Sequence, residues 1–487
     1  MLFLCREQAQ GHYFMKMWVG EEWIESSRAE EILSPYTGES VDVVPVADPA
    51  DVERAISTTV RGAKDMAALP ASQRSAILDK AASIMAGRVE EFAKLITSEE
   101  GKPLSESRGE ASRVADLLRL SAFEGSQMRG ESLPLDAQAG ATGKIGLTLR
   151  IPCGVVAAIT PFNYPLLLVA HKIGPALAAG NAVILKPAQQ TPLTALKFTE
   201  VLLEAGLPPR GIQCITGTGP EIGPVICADR RIRKISFTGS TAVGDAITRI
   251  AGVKRLSLEL GSNASMVVLP DADLAKVADA VAVGGYVNAG QVCISTQRIL
   301  VHRKAYSDFL SALRPVVESI RTGDPMTAET KLGPMISAKE AQRVESWIDE
   351  AVRDGARVVT GGRHVGATFA PTIVADVATH MRISRDELFG PVVAVTPVES
   401  VDQAIEYAND TSYGLAASIF TNDVSSAWRF VRQAEAGNIH VNWTPLWRAD
   451  LMPYGGFKQS GIGKEGPRYA VEEMTESKTV VFHGIGA

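Results

Sequence analysis

The chain has 487 residues, of which 46% are hydrophobic and 21% are charged, and its formal net charge is -6. This is the composition of a globular protein that is long enough for two or three domains. The acidic balance provides no basic field for phosphodiesters or for an anionic membrane surface, so neither nucleic acid nor membrane is an expected partner.

The cysteines favour a reducing, cytoplasmic setting. Their number is odd, they lie far apart, and no two form a Cys-x-x-Cys pair, which argues against a disulfide framework and against a zinc site or other metal centre. The cysteines are Cys5, Cys153, Cys214, Cys227 and Cys293. The longest nearly apolar run, residues 166–185, contains His171 and Lys172 and is not expected to span a bilayer. Residues 1–5 are too short for a signal-peptide core, and a natural start at Met15 or Met17 would make the preceding residues a disordered extension.

The first 130 residues are predicted to form short strands followed by four amphipathic helices. Trp18 to Val46 have a strand-like pattern with a turn at residues 35–38. Asp48 and Asp51 are typical N-caps. The predicted helices cover residues 51–66, 71–86, 89–100 and 105–129. Because one face of these helices is polar, we expect the other face to cover a sheet formed further along the chain.

Two β-prone segments, residues 132–135 and 144–151, are joined by a flexible, glycine-containing stretch and predict a projecting hairpin. An unpaired edge on such a hairpin favours assembly with another chain, but an ordinary surface hairpin fits the pattern equally well. The β-prone tail, residues 478–482, is predicted to pair with the hairpin of a neighbouring subunit.

From Gly154 onward, short apolar runs alternate with helical stretches in two successive series. This alternation predicts parallel sheets wrapped by helices, with ligands at the carboxyl ends of the strands. The first series, the predicted nucleotide-binding unit, has strands at 155–159, 182–185, 212–215, 234–237 and 256–260 and helices at 166–179, 192–205, 220–228 and 242–250. The second series has strands at 265–269, 299–302, 357–359, 392–396, 417–421 and 438–441 and helices at 274–287, 306–321, 339–354, 401–408 and 424–434.

Cys293 is the candidate nucleophile, because it follows a glycine turn in Asn288-Ala289-Gly290-Gln291-Val292-Cys293 and its sulfur can face a cleft. The alternative is a small buried hydrophobe, as most free cysteines are. Glu259 is a lone carboxylate among leucines at a strand end, where desolvation favours the protonated form and suits a general base near neutral pH; an ion pair is its structural alternative. Asn163, after the strand at 155–159, can donate its amide to an oxyanion or can be a turn asparagine between prolines.

Three further segments are candidates for binding a nucleotide. Phe237-Thr238-Gly239-Ser240 is a strand end and glycine turn before a helix, and its backbone N–H groups can hold a pyrophosphate. Lys186 stands at the carboxyl end of a strand and can hydrogen-bond ribose hydroxyls. The segment with Glu387 and Phe389 offers a carboxylate for hydroxyls and a ring for a flat ligand. Each segment alone is also compatible with a tight turn, a solvated lysine or a simple loop.

Together and in this order, these segments resemble the NAD(P)-dependent aldehyde dehydrogenase superfamily over about residues 18–482. The resemblance implies an α/β fold with a Rossmann-type cofactor domain (17–131 and 152–259), an α/β catalytic domain (260–445) and a small β oligomerisation arm (132–151 and 471–484). It further implies NAD or NADP as cofactor, a small-molecule aldehyde as substrate and a homodimer or homotetramer.

The resemblance also implies the chemistry. Cys293 would attack the aldehyde, and Asn163 with the Cys293 backbone N–H would hold the resulting oxyanion. Loss of hydride to the nicotinamide would leave a thioester, which a water activated by Glu259 hydrolyses. The implied cofactor-binding residues are Thr160, Pro161, Phe162, Lys186, Gln189, Gly219, Gly223, Phe237, Thr238, Gly239, Ser240, Gly244, Leu260, Glu387 and Phe389.

The chain departs from the family pattern at three places. The tryptophan usual before the asparagine is Phe162, and Ser262 and Asn263 replace the usual glycine and lysine after Leu-Glu-Leu-Gly. Gln189 stands where many NAD-preferring members carry a glutamate, which removes a repulsion against a 2′-phosphate and favours dual or NADP use.

The segment around residues 452–457 is similar to members that act on short hydroxylated or anionic aldehydes, such as lactaldehyde, glycolaldehyde or phosphonoacetaldehyde. Arg448 or Arg113 is predicted to hold an anionic group, with a surface salt bridge as the alternative. The predicted substrate-lining residues are Tyr164, Gln291, Val292, Ile294, Ser295, Trp443, Trp447, Arg448 and Arg113. Two other functions stay open: a CoA-acylating dehydrogenase, against which Glu259 argues, and a non-catalytic relative, against which Cys293 and Glu259 both argue.

Overall fold

A computed structural model of the chain describes residues 6–9 and 12–484. Two central sheets, each wrapped by helices, organise these residues, and the predicted α/β fold is confirmed. Among the described helices, none is both long and apolar enough to cross a membrane. The signal-peptide prediction concerns residues outside the described part. Disorder was expected of the residues that precede Met15 or Met17. It is not observed at Arg6–Ala9 and His12–Met15, which form an antiparallel pair.

The first sheet has eight strands, and its five central strands run parallel. In spatial order the strands are Gly461–Ile462, Arg255–Glu259, Lys234–Thr238, Val155–Ile159, Ala182–Lys186, Ile212–Cys214, Met17–Val19 and Glu22–Ile24. The helices of this half are Pro49–Ala68, Ala71–Gly87, Val89–Glu100, Leu104–Ser126, Leu167–Ala178, Leu193–Glu204, Gly219–Ala228 and Thr241–Ala251. Because the central strands are parallel, their carboxyl ends share one edge of the sheet, where a ligand is expected.

The second sheet has seven strands, all parallel except for one edge strand. In order they are Arg357–Thr360, Thr372–Ala375, Val392–Val398, Thr296–His302, Ala264–Val268, Ala416–Phe420 and Asn438–Val441. The helices of this half are Leu274–Tyr286, Arg303–Glu318, Ala338–Arg353, Arg382–Arg385, Val401–Asn409 and Val424–Gln433, and Pro467–Glu473 precedes the tail.

Two smaller sheets and a short hairpin complete the described fold. The N-terminal sheet consists of Arg6–Ala9, His12–Met15, Ser40–Val46 and Arg28–Leu33. The arm sheet consists of Thr475–His483, Lys144–Pro152 and Ser132–Leu133, and the hairpin of His364–Val365 and Thr368–Phe369. Single helical turns cover Leu135–Ala137, Pro209–Gly211, Val287–Gly290 and Lys458–Ser460.

Local sequence signals account for several helix ends. Asp48 and Asp51 form a reciprocal capping box at the start of Pro49–Ala68, because each side chain accepts a hydrogen bond from the backbone N–H of the other. Gly101, with a φ of 90°, ends Val89–Glu100 in the left-handed conformation that glycine adopts without strain. The predicted and observed bounds of that helix agree.

The tail departs from the prediction. Thr475–His483 pairs antiparallel with Lys144–Pro152 of the same chain over nine residue pairs, so the expected pairing with a neighbouring subunit's hairpin is wrong for this strand edge. A hairpin and a tail that lie side by side in one chain form their hydrogen bonds without a partner.

The chain also returns to the first sheet after the second is complete. Gly461–Ile462 pairs antiparallel with Arg255–Glu259. The proposed domain boundaries place residues 461–462 in no domain, and the pairing attaches them to the cofactor half. A two-residue strand has no periodicity that a sequence pattern can reveal.

Candidate active site

A cavity of about 870 Å³ lies where the carboxyl ends of the first sheet face the loop that carries Cys293. Most residues predicted from the sequence to bind cofactor or substrate line it. These are Thr160, Pro161, Phe162, Asn163, Tyr164, Lys186, Gln189, Gly219, Gly223, Phe237, Thr238, Gly239, Ser240, Leu260, Val292, Cys293, Ile294, Glu387, Phe389, Arg448 and Arg113. Residues from distant parts of the chain thus share one space.

The glycine turn after Lys234–Thr238 has the features of a phosphate site. Ser240 caps helix Thr241–Ala251 and accepts a hydrogen bond from the Val243 N–H. A Cβ atom on Gly239 would stand 2.5 Å from the Phe237 ring, so only glycine fits this turn. The hydroxyl oxygens of Thr160 and Thr238 are buried and have no hydrogen-bond partner among the described residues. Buried hydroxyls of this kind are normally satisfied, so they fit a polar ligand such as a dinucleotide.

Lys186 lies at the end of the neighbouring strand. Burial lowers the pKa of its ammonium to about 8, and the negative charge of Glu30 opposes that decrease. Its Nζ donates to the Pro187 carbonyl at 2.9 Å. The remaining donor capacity fits ribose hydroxyls.

A carboxylate reaches the same region from the N-terminal sheet. Glu30, on strand Arg28–Leu33, accepts a hydrogen bond from the Gln189 side-chain amide. The sequence pattern at Gln189 lacks the family's glutamate, but the fold supplies an acidic group beside it. Glu30 is a feature that the sequence reasoning missed, because nothing local indicates that it contacts residue 189.

Gly244 does not line the cavity, although it was predicted to bind cofactor. A Cβ atom there would stand 2.4 Å from the Leu260 side chain, so the glycine allows helix Thr241–Ala251 to pack closely on that residue. Its place in the structure is a packing contact.

The loop before Cys293 is strained. Asn288 and Ala289 have φ values of 52° and 53°, in the left-handed region that side chains disfavour, and Gly290 follows with 68°. A Cβ atom on Gly290 would stand 2.1 Å from the Gly390 carbonyl oxygen, so the loop lies directly against the segment after Phe389. Such strain is held by surrounding contacts, and the nucleophile segment that follows lines the cavity.

Cys293 lines the cavity, and its Sγ lies 3.1 Å from the Tyr454 hydroxyl oxygen. Burial raises the pKa of the Cys293 thiol to about 12, while the hydrogen bond with Tyr454 opposes that rise. Val292 and Ile294 pack in a small apolar cluster with Tyr454. Tyr454 was not singled out from the sequence, where only its glycine-rich neighbourhood was noted.

Asn163 is held from several sides. Its side-chain Nδ2 donates to the Gln291 carbonyl at 2.7 Å, and its Oδ1 is buried without a partner among the described residues. Its own carbonyl accepts hydrogen bonds from Lys102 Nζ at 2.6 Å and from Asn288 Nδ2 at 3.0 Å. The side-chain amide is therefore fixed beside the nucleophile loop.

Glu259 is buried behind the cavity wall, whereas the next residue, Leu260, lines it. Its Oε2 has no hydrogen-bond partner in the described structure. Burial, and then the negative charge of Glu465, raise the pKa of Glu259 well above its ordinary value. A Cβ atom on Gly455 would stand 2.9 Å from Glu259 Oε1, so this glycine leaves room beside the carboxylate.

The pKa of Glu465 is shifted in the direction opposite to that of Glu259. Burial opposes its ionisation, but the charges of Lys172 and Arg448 outweigh burial and lower the pKa of Glu465 to about 2. Its carboxylate oxygens lie 3.0 Å from Lys172 Nζ and 3.1 Å from Arg448 Nη2. The surroundings of these two buried carboxylates therefore shift their pKa values in opposite directions, as is typical of residues with different acid–base roles.

The two arginines predicted to meet an anion both line the cavity, and both are also paired with carboxylates. Arg113 contacts Asp450 through Nε at 3.2 Å and through Nη2. Arg448 pairs with Glu465, and its guanidinium lies 3.9 Å from the Tyr454 ring centroid. The Nε of Arg448 is buried and has no partner among the described residues. Arg448 does form a salt bridge, as the alternative predicted, but the pair is buried and not on the surface, since the arginine side chain is only 10% exposed.

Four other residues predicted to line the substrate tunnel lie outside the cavity wall. The Gln291 side chain bonds the Ile336 N–H and the Asn288 carbonyl, and Ser295 Oγ donates to the Gly284 carbonyl. Trp443 packs against the apolar core of the second sheet, and Trp447 is 54% exposed beside His440. The two residues directly beside the nucleophile, Val292 and Ile294, do line the cavity, whereas Gln291 and Ser295, one position further out, turn to backbone partners.

Glu387, which also lines the cavity, accepts a hydrogen bond from the Ser262 N–H at 2.9 Å. Burial raises the pKa of Glu387 to about 7, and that hydrogen bond opposes the rise. The rings of Phe162 and Phe389 meet edge-to-face with centroids 5.9 Å apart. They form an aromatic wall beside the carboxylate.

The sequence reasoning noted His171 and Lys172 only as breaks in an apolar run. Both are buried, and Lys172 pairs with Glu465 while His171 Nε2 lies 3.1 Å from Asp450 Oδ1. Charged residues within an apolar helix were the available signal, since such residues are normally paired when buried.

The described cysteines, from Cys153 onward, are free. The described residues contain no group of three or more histidines, cysteines or carboxylates suited to a metal ion. The cytoplasmic setting inferred from the cysteines stays a prediction.

Comparison with known proteins covers nearly the whole chain. Residues 23–480 match the model of the aldehyde dehydrogenase family. The chain is 44% identical over 467 residues to the 3-sulfolactaldehyde dehydrogenase of Priestia megaterium, covering 96% of this chain and 98% of that one.

Two solved structures are closely similar. Aldehyde dehydrogenase 21 from Physcomitrella patens, in complex with the reaction product succinate, gives a TM-score of 0.94 at 35% identity over 97% of this chain and 99% of that chain. The NADP-dependent glyceraldehyde-3-phosphate dehydrogenase from Bacillus halodurans, complexed with NADP, gives 0.94 at 34% identity over 96% and 99%. The predicted resemblance is confirmed, and the chain belongs to the aldehyde dehydrogenase family as an enzyme that oxidises small-molecule aldehydes with NAD or NADP.

Proposed function

We propose that the chain oxidises a short hydroxylated or anionic aldehyde to its carboxylate through a thioester on Cys293, which is hydrolysed with Glu259 as general base. The carrying observation is that one 870 Å³ cavity contains both the Cys293 thiol and the glycine turn at Gly239. A nucleophile and a dinucleotide site must share a space if oxidation is to follow attack.

Different residues of the cavity would bind different parts of the cofactor. Gly239 and Ser240 would hold the pyrophosphate, Lys186 the ribose near Gln189, and Glu387 with Phe389 the nicotinamide side. When bound, the cofactor supplies the hydride acceptor for the oxidation. The polar groups of Thr160 and Thr238 that lack partners among the described residues support this placement.

Cys293 first attacks the aldehyde carbon as a thiolate. The carbonyl oxygen then carries negative charge, and the Asn163 amide with the Cys293 backbone N–H would stabilise it. Lys102 and Asn288, which bind the Asn163 carbonyl, keep that residue in place.

Hydrolysis of the thioester needs a base that can be unprotonated near neutral pH and whose proton affinity is high enough to remove a proton from water. Burial and Glu465 raise the proton affinity of Glu259, which suits removal of a proton from water. The hydroxide equivalent adds to the acyl carbon, the C–S bond breaks, and the carboxylate leaves while Cys293 recovers its sulfur.

Two arginines that line the cavity support the substrate class, although each also pairs with a carboxylate. Arg448 retains a buried Nε without a partner among the described residues, and Arg113 lines the same cavity. A sulfonate, carboxylate or phosphonate can accept from such a donor. The name of the Priestia relative and the succinate in the Physcomitrella structure refer to anionic compounds, which supports the same class here.

The proposal includes a homodimer or homotetramer. Thr475–His483 and Asn438–Val441 each form the outer strand of their sheet among the described residues, and each leaves one edge open. Ile145, Leu149 and Phe482 expose apolar surface on the arm. Open edges favour strand pairing between copies, and a monomeric mass in light scattering at assay concentration would contradict it.

The central test is cofactor reduction, followed by near-ultraviolet absorbance, with NAD and NADP separately. The panel contains neutral, hydroxylated, sulfonated, phosphorylated and phosphonate aldehydes, each with and without CoA. We expect turnover without CoA and a preference for an anionic, hydroxylated aldehyde. Turnover only with CoA would favour the acylating alternative, and no turnover with any aldehyde would favour a non-catalytic relative.

A further inference from the structure

We infer that Tyr454 is a catalytic residue that donates its hydroxyl hydrogen to the sulfur of Cys293 and stabilises the thiolate. The inference rests on the proposed role of Cys293 as nucleophile. It concerns the state of the sulfur before the aldehyde is attacked.

The geometry supports a specific contact. The Tyr454 hydroxyl oxygen lies 3.1 Å from Cys293 Sγ, and the tyrosine side chain is buried and lines the cavity. The Arg448 guanidinium covers the ring at 3.9 Å from its centroid. The backbone of Tyr454 is fixed as well, because its N–H and C=O both bond Glu465, at 3.1 and 2.7 Å.

Burial makes the nucleophile difficult to ionise. Desolvation is the largest influence on the Cys293 thiol and raises its pKa, and the Tyr454 hydrogen bond is the largest influence that lowers it. The other charged groups that act on the sulfur are Glu387 and Glu259, which oppose ionisation, and Arg448, which favours it. A neutral phenol in direct contact thus offsets part of the cost of forming a buried anion.

The direction of the hydrogen bond follows from the two acidities. Burial raises the pKa of Tyr454 well above its ordinary value, so the phenol keeps its proton. When Cys293 ionises, its proton leaves to water and the sulfur retains the electron pair. The sulfur is then an acceptor only, and Tyr454 can act only as its donor.

The test measures the rate of Cys293 alkylation by iodoacetamide between pH 6 and pH 11. The label is counted on the Cys293 peptide by mass spectrometry, because Cys227 also lines the cavity. For Tyr454→Phe, which keeps the ring and removes the hydroxyl, we expect alkylation to slow about tenfold at each pH of this range, because the thiolate fraction below the pKa falls about tenfold when the thiol pKa rises by about one pH unit. The rising limb of kcat/KM against pH should move upward with it.

A second variant gives the opposite sign. Replacement of Tyr454 by 3-fluorotyrosine keeps the shape and makes the hydroxyl more acidic, so alkylation should accelerate and the apparent pKa should fall. Tyr407→Phe removes a hydroxyl that contacts Gln403, and it is the matched control expected to leave both profiles unchanged.

Three outcomes would overturn the inference. An unchanged alkylation profile in Tyr454→Phe, even with a lower melting temperature, would make the residue a packing element. Faster alkylation would mean that the hydroxyl stabilises the thiol. The inference requires that Tyr454→Phe and the 3-fluorotyrosine replacement change the alkylation rate in opposite directions. A change in the same direction in both variants also contradicts it. The variant Cys293→Ala distinguishes failure of this inference from failure of the proposed function. Aldehyde oxidation that persists in Cys293→Ala would show that Cys293 is not the nucleophile.

Discussion

The Nζ of Lys102 lies 2.6 Å from the carbonyl oxygen of Asn163 and 2.6 Å from Glu110 Oε2, with both charged side chains almost completely buried. Glu110 in turn accepts hydrogen bonds from the N–H groups of Leu166 and Leu167, at the start of the helix that follows Asn163. One buried ion pair thus holds both ends of the segment that carries the oxyanion amide.

Lys102→Met is therefore expected to destabilise the protein by about 3 to 5 kcal/mol, because it leaves a buried carboxylate without its partner. The measurement is the free energy of unfolding in urea. Arg108→Met removes an exposed cation from its pair with Glu90 and should change that free energy very little. A similar loss of unfolding free energy in the two variants would show that the buried pair stabilises the protein no more than the exposed pair does.

Glu259→Gln is expected to separate the two halves of the reaction. The first turnover should still produce one equivalent of reduced cofactor per active site, since attack by Cys293 does not require the base. Steady turnover should fall about 10²- to 10⁴-fold, because water is no longer deprotonated. Rapid mixing followed by absorbance distinguishes burst from steady rate, and undiminished steady turnover would count against the assigned base.

Glu465→Gln should move the pH dependence of thioester hydrolysis to lower pH. A base acts when it is unprotonated, so the rate rises with pH through the pKa of Glu259, which Glu465 helps to raise. Removing that negative charge, and freeing Lys172 and Arg448 to act on Glu259, both lower this pKa. We expect the rising limb of kcat to move down by about one pH unit or more.

The control for this shift is Glu472→Gln, which removes an exposed carboxylate whose side chain is 52% accessible. Its pH profile should match that of the unaltered enzyme. An upward shift in Glu465→Gln would mean that loss of the pair reorganises the site.

Arg448→Gln tests the anionic substrate class. Loss of a charged hydrogen-bond donor should raise KM for a sulfonated or carboxylated aldehyde about 10- to 100-fold. A neutral aldehyde of similar length should show a much smaller change, which corrects for any effect through Glu465 or Tyr454. Equal effects on both aldehydes would remove Arg448 from substrate recognition.

Glu30→Gln should increase the use of NADP relative to NAD, because the carboxylate beside Gln189 would oppose a 2′-phosphate. The expected rise in the ratio of kcat/KM values is about tenfold. Glu31→Gln is the matched control, since its side chain points to the other face of the same strand. A ratio that moves equally in both variants would reflect the general charge of this strand.

Local patterns were enough to predict the alternating strands and helices, whereas the candidate catalytic residues were indicated by several segments taken together. Helix Val89–Glu100 and strand Asn438–Val441 have the predicted bounds, because each lies between clear turn signals. The return strand Gly461–Ile462 and the pairing of tail and hairpin within one chain depend on distant contacts, which periodicity does not encode.

The same distinction applies to the site. Cys293, Glu259 and Asn163 stand in recognisable segments, so the sequence reasoning found them. Tyr454, Glu465 and Glu30 acquire their significance from partners 161, 206 and 159 positions away in the chain, counted to Cys293, Glu259 and Gln189. Their importance is set by tertiary contacts alone.

The two-residue strand at Gly461–Ile462 lies in a segment that contacts both catalytic regions, the one around Cys293 and the one around Glu259. Tyr454, beside Cys293, bonds backbone-to-backbone with Glu465, and the strand between them pairs with Leu258 and Glu259. One short loop therefore connects Tyr454, which contacts the nucleophile, to the strand that carries Glu259. An inserted or deleted residue at positions 455–464 would disturb acylation and hydrolysis together, although it would alter neither Cys293 nor Glu259.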